Sequence, residues 1–207
     1  MNTFAMYKSI KTSEGIKVFR YNTEFQAISG PGPAIGLIVM MNPGDARPDS
    51  NVIFNQLING EYETGEPVLT KSDRTMNKVF KLIQRLYTSN NISLPDRYTI
   101  HIENLFNIRE KNSKEAVNLS KRLTQTNEIM FQTRKINMQY QFVFLAWGSV
   151  KVNLDRQRFL KLNYPNAIIV NKINIKGNIS NVSYPVHPLY MNTEYFLDAS
   201  EGKLFIN

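Results

Sequence analysis

Asn42, Asn104 and His187 are the residues of this chain best suited to recognise a small polar ring. An asparagine amide offers a donor and an acceptor side by side. An imidazole can donate to an oxygen on which negative charge develops. Each of the three closes or follows a strand-like run: Asn42 in I-G-L-I-V-M-M-N-P-G, Asn104 in I-H-I-E-N-L-F, and His187 in H-P-L-Y. A fourth polar break, Gly148-Ser149, ends F-V-F-L-A-W. Other common chemistries lack their residues. There is no cysteine, which excludes disulfides, thiolate metal sites and a thiol nucleophile. Two histidines, His101 and His187, are too few for a histidine-built metal centre. Neither a Walker-type phosphate loop, nor G-x-G-x-x-G after a strand, nor a nucleophile-elbow serine occurs. No metal or cofactor is expected.

The elements that must hold these residues read as an alternation of strands and helices. Ile35–Met41 is continuously apolar, as in a central strand covered on both faces, and Pro43 ends it because proline cannot donate to a ladder. Gly44 permits a sharp turn. A second strand is predicted over Tyr98–Phe106, a third over Phe142–Trp147 and a fourth over Ala167–Ile173. Helices are predicted over Thr75–Leu86, with Ser72 or Asp73 as N-cap, and over Val150–Leu162, with Val152, Phe159 and Leu162 inward. A long helical pattern runs from Asn112 through Met138, and Thr193–Ala199 reads as a short closing helix. Asp45–Pro67 is a polar connection with a short apolar run at Val52–Ile58. Residues 1–33 read as an accessory hairpin, Thr3–Ile10 with Ile16–Arg20, and a Gly-Pro linker.

This order predicts one α/β domain, a three-layer α/β/α sandwich around a four-stranded, mostly parallel sheet. In such sheets ligands bind at the carboxyl ends of the strands. Asn42, Asn104, Gly148-Ser149 and His187 would then share one edge.

Composition narrows the partners. The chain has 207 residues, 25 basic against 17 acidic, and a formal net charge of +8. That balance favours a polyanion. No stretch reads as a membrane span or a secretion signal, so a cytoplasmic monomer is expected.

Taken in order, M-N-P-G at 41–44, Asn104 in I-E-N-L-F, V-F-L-A-W-G-S at 143–149 and H-P-L-Y at 187–190 resemble the motif series of the uracil-DNA glycosylase superfamily. They also resemble a bacterial family of unassigned function with L-N-P-S, N-L-F, L-A-W-G and H-P-L-Y, over about Arg20 to Tyr190. The resemblance implies a uracil-DNA glycosylase-like fold and a DNA-repair hydrolase that removes uracil without lyase activity. It makes Asn42 the residue that positions water and His187 the one that stabilises the departing uracil anion. Pro43 and Gly44 would adjoin the base, Phe54 would stack on it, and Asn104 would pair with its edge. Ser149, Lys151 and Lys172, with Arg156 and Lys176, would hold phosphates. Leu189 or Tyr190 would fill the vacated stack, and Pro188 would touch the DNA beside them. The implied partner is uracil-containing DNA, single- or double-stranded, and a proteinaceous DNA mimic could inhibit it. Two positions depart from the pattern. The strongest uracil-specific enzymes carry Asp where Asn42 stands, and an amide can orient water but cannot take its proton. They carry Tyr where Gly44 stands, and glycine has no ring to exclude thymine.

Each residue also has an ordinary role. Asn42-Pro43-Gly44 makes a turn, Trp147 and Phe54 fit a core, and Asp73 reads as a helix cap rather than an acid. Two further functions fit the same residues: a non-catalytic DNA-binding protein of this fold, and a hydrolase of free nucleosides or nucleotides.

Overall fold

A computed structural model describes residues 1–134, 139–171 and 185–205. The first element is a long antiparallel hairpin. Its strands are β1 (Asn2–Thr12) and β2 (Gly15–Gln26). The central strand β3 (Ala34–Met40) follows. After it come the short β4 (Arg47–Pro48), helix α1 (Asn51–Asn59), β5 (Tyr62–Glu63) and β6 (Val68–Lys71). Next are α2 (Arg74–Ser89), β7 (Thr99–Asn104), α3 (Ser113–Arg122) and α4 (Asn127–Met130). The chain closes with β8 (Phe142–Leu145), α5 (Leu154–Asn163) and α6 (Thr193–Ser200).

One eight-stranded sheet results, in the order β4-β6-β1-β2-β7-β3-β8, with β5 paired to β1. Only β7, β3 and β8 run parallel to one another, and the remaining pairs, β2 with β7 included, are antiparallel. The expected four-stranded sheet is therefore too small. The hairpin is not an accessory: β2 pairs directly with β7 and doubles the sheet. Its inward residues include Tyr7, Phe19 and Phe25, all fully buried. It was underestimated because its inward face mixes polar residues, Thr3, Ser9 and Arg20, with apolar ones. The expected fourth strand reduces to one parallel bridge, Phe144 to Ile168, within the described residues.

The three-layer arrangement is present. On one face, α2 and α6 cover β3, β7 and β8 through Met76, Ile83, Leu86 and Phe196. On the other, α3, α4 and α5 supply Ala116, Leu119, Met130 and Leu160. Helix α1 covers the hairpin through Leu57. Helix α2 forms as the apolar spacing predicts, with Asp73 accepting the Met76 N–H at 2.9 Å.

Two predicted helices are shorter than expected. The pattern from Asn112 breaks at Leu123, whose backbone leaves helical angles, and a 3₁₀ turn at Thr124–Thr126 leads into α4. Helix α5 starts only at Leu154 because Asn153 is left-handed, with φ 51°. Its inward face carries Arg156 and Leu160, while Phe159 and Leu162 are exposed. Among the described residues no helix is long and apolar enough to cross a membrane.

Candidate functional site

The carboxyl edge of the parallel strands opens into a cleft of about 1020 Å³. It crosses that edge from one helical layer to the other. Asn42, Pro43 and Gly44 line it after β3, and Gly148, Ser149 and Lys151 line it after β8. His187, Leu189 and Tyr190 line it from the segment before α6. The sequence brought these residues to one edge by topology alone, and the fold brings them to one cleft.

Asn42 is half-buried, and its amide Nδ2 donates to the Glu110 carbonyl at 2.8 Å. That bond fixes the amide and leaves Oδ1 as the acceptor available to a ligand or water. The Leu189 N–H donates to Nδ1 of His187 at 3.4 Å. The proton of a neutral imidazole therefore sits on Nε2, which is a donor. Burial lowers the His187 pKa below the ordinary histidine value, and the Asp73 carboxylate opposes that shift. Gly148, at φ 76°, lets the chain pass close to His187; a Cβ there would lie 3.7 Å from the histidine Cβ.

Asp73 is the residue that sequence reasoning missed. Its Oδ1 caps α2, as expected. Its Oδ2 turns toward Gly44, and the residue is the one carboxylate lining the cleft among the described residues. The available signal was its position: a helix N-cap on the sheet edge where the strands end.

Asn104 does not line the cleft. It is buried, and its Cα is the register partner of Met40 rather than of Asn42. Its Oδ1 has no hydrogen-bond partner among the described residues. Phe54 does not line it either. It lies on α1, with the guanidinium groups of Arg47 and Arg109 4.8 and 5.3 Å from its ring centre. These cation–π contacts engage the ring away from the cleft. Pro188 is buried and outside the lining. Lys172 and Lys176 lie outside the described residues.

Arg156 is also not free for phosphate. It is largely buried, 3.5 Å from Glu103, which Arg134 approaches at 3.6 Å. Burial raises the Glu103 pKa, and Arg156 and then Arg134 oppose the rise. Arg134 reaches on to Glu24 at 2.6 Å, and His101 stands 3.9 Å from the same carboxylate. This is an internal ionic cluster on the face opposite α2, remote in role from the cleft.

Among the described residues the cations lining the cleft are Lys111, Lys114, Lys121 and Lys151, all exposed. The first three belong to α3 and its approach, to which the sequence reading gave no role in the site. Trp147 is core, as expected, and also forms part of the cleft floor. Its buried indole N–H has no acceptor among the described residues.

No protein-family model matches the chain, and no curated protein or solved structure matches it significantly.

Proposed function

We propose that the protein is a monofunctional uracil-DNA glycosylase, which hydrolyses the N-glycosidic bond of a uracil drawn out of the strand. The observation that carries this reading is the meeting of Asn42, Asp73 and His187 in one cleft rimmed by lysines. The choice of uracil comes from the motif resemblance.

In this reaction the bond between C1′ of the sugar and N1 of the base breaks, and its electron pair stays on the base. The charge spreads to the ring oxygens, where Nε2–H of His187 donates. One such donor contributes about 3 kcal/mol to the transition state. Water accepted at Asn42 Oδ1 forms the new bond to C1′, and its proton passes to the Asp73 carboxylate. An amide alone cannot complete that step, and Asp73, which lines the same cleft, carries the carboxylate that Asn42 lacks. Extruding the base costs roughly a few kcal/mol, offset by contacts in the cleft. With Asn104 and Phe54 out of the lining, the base would meet Trp147, Gly44 and Tyr190 rather than those two.

The test is incubation with an oligonucleotide containing one uracil, followed by alkali. A strand cut at the uracil is expected, and His187→Ala and Asn42→Ala should each slow cutting about 100-fold. A strand left whole at enzyme excess overturns the reading. Uracil-independent DNA binding without cutting would point to the non-catalytic protein. Salt-insensitive turnover of free nucleosides would point to the small-substrate hydrolase.

A further inference from the structure

The two walls of the cleft differ in kind. On one side of the sheet edge, α3 presents Lys114, Asn118 and Lys121, with Lys111 just before it. Positions i, i+4 and i+7 lie on one helical face. Lys114 and Lys121 stand about 10 Å apart along the axis, close to three nucleotide steps of a stacked strand. None of these lysines forms an ion pair with a described residue. The neighbouring Arg122 does the opposite, binding Glu14 and Glu115 at 2.9 Å each on another flank of the helix. Helix α3 thus keeps its paired charges away from the cleft and its unpaired ones in it.

The other wall belongs to the opposite layer. Tyr190 is 83% exposed, Tyr195 49% and Leu189 45%, and all three line the cleft. Tyrosine rings left in water beside a row of unpaired ammonium groups match the two halves of a nucleotide. Phosphates seek the lysines, and the flat bases seek the rings.

We propose that this cleft is a track for single-stranded nucleic acid, with the sugar–phosphate chain along α3 and unpaired bases on Tyr190 and Tyr195. A duplex hides its base faces between neighbouring pairs and leaves the tyrosines nothing to stack on. The cleft volume, about 1020 Å³, is at the upper end for a drug-sized ligand, ~300–1,000 Å³, so it holds more than one base. The track rests on the nucleic-acid part of the proposed function and not on its glycosidic chemistry.

The experiment is fluorescence anisotropy of the full chain with a labelled oligodeoxyadenosine, which contains neither uracil nor thymine, and with a duplex of equal length. The single strand should bind at least tenfold tighter. The double variant Lys114→Gln/Lys121→Gln should weaken binding about tenfold and flatten the log K against log salt slope by roughly 1.4, at ~0.7 per phosphate contact. Tyr190→Ala should weaken binding about tenfold with the slope unchanged. Equal affinity for the duplex overturns the track, as does lysine substitution without effect on the slope. Because the probe has no excisable base, failure to cut uracil leaves this result standing, and loss of binding with cutting intact removes only the track.

Discussion

The Asp73 carboxylate lies against Gly44 so closely that a Cβ on that glycine would come 2.7 Å from Oδ2. Gly44 also holds φ 65°, where a side chain is disfavoured by about 1–2 kcal/mol. The turn after β3 and the cap of α2 are therefore built together. Gly44→Ala should lower stability by roughly 1–2 kcal/mol. It should also lower uracil excision further than instability explains, because the carboxylate must move. Urea unfolding beside excision rates measured well below the melting range would check both.

Asp73 carries two loads that substitution can separate. Asparagine keeps an acceptor for the Met76 N–H and removes the charge. Asp73→Asn should leave stability nearly intact and slow excision about 100-fold or more. Asp73→Ala should slow it equally and also lose about 1 kcal/mol from the cap. The carboxylate also raises the His187 pKa against burial. Removing it should shift that pKa downward, seen by NMR titration of the imidazole. An unmoved titration would show that the two groups do not interact.

The Glu103 cluster gives a stability prediction with no part in binding. Glu103 is 4% exposed, between Arg134 and Arg156. Breaking a buried pair from one side costs about 3–5 kcal/mol. Glu103→Ala should therefore lower unfolding free energy by about 3 kcal/mol. Arg156→Gln should destabilise in the same direction while leaving the salt slope of oligonucleotide binding where it was.

His101 predicts the acid side of stability. Burial first, and then Arg134, hold its pKa at about 4, below the ordinary 6.5, despite the pull of Glu24. Between these values the unfolded chain takes up a proton that the native chain refuses. Stability should thus rise with pH across the window and fall as pH drops through it, by up to roughly 3 kcal/mol in total. His101→Gln should flatten urea-unfolding stability measured across that window. A curve as steep as the parent's would refute this assignment.

The parallel centre was legible because its signal is local. Ile35 through Met41 is uninterrupted, Pro43 stops it, and β8 shows the same plain apolar run. Asn42 and His187 were legible by extension, since strand ends in parallel sheets share an edge. What escaped depended on surroundings. The inward face of β1 carries Thr3 and Ser9, and β2 buries Arg20 completely; only the covering elements make those positions interior. Asn104 is at a strand end, yet it is buried and does not line the cleft. Phe54 lies a suitable number of residues after Asn42, but α1 carries it over the hairpin. Arg156 and Lys114 look alike as letters, and only the position of Glu103 separates an internal counterion from a surface charge.

One of the sheet's two outer strands, β4, is two residues long and contains Pro48. Proline supplies no N–H, so a neighbouring molecule arriving there finds too few ladder partners to extend the sheet. The hairpin's margin is likewise blunted by the two-residue β5. On this side of the sheet, copies of the chain held close together therefore find little free ladder to join.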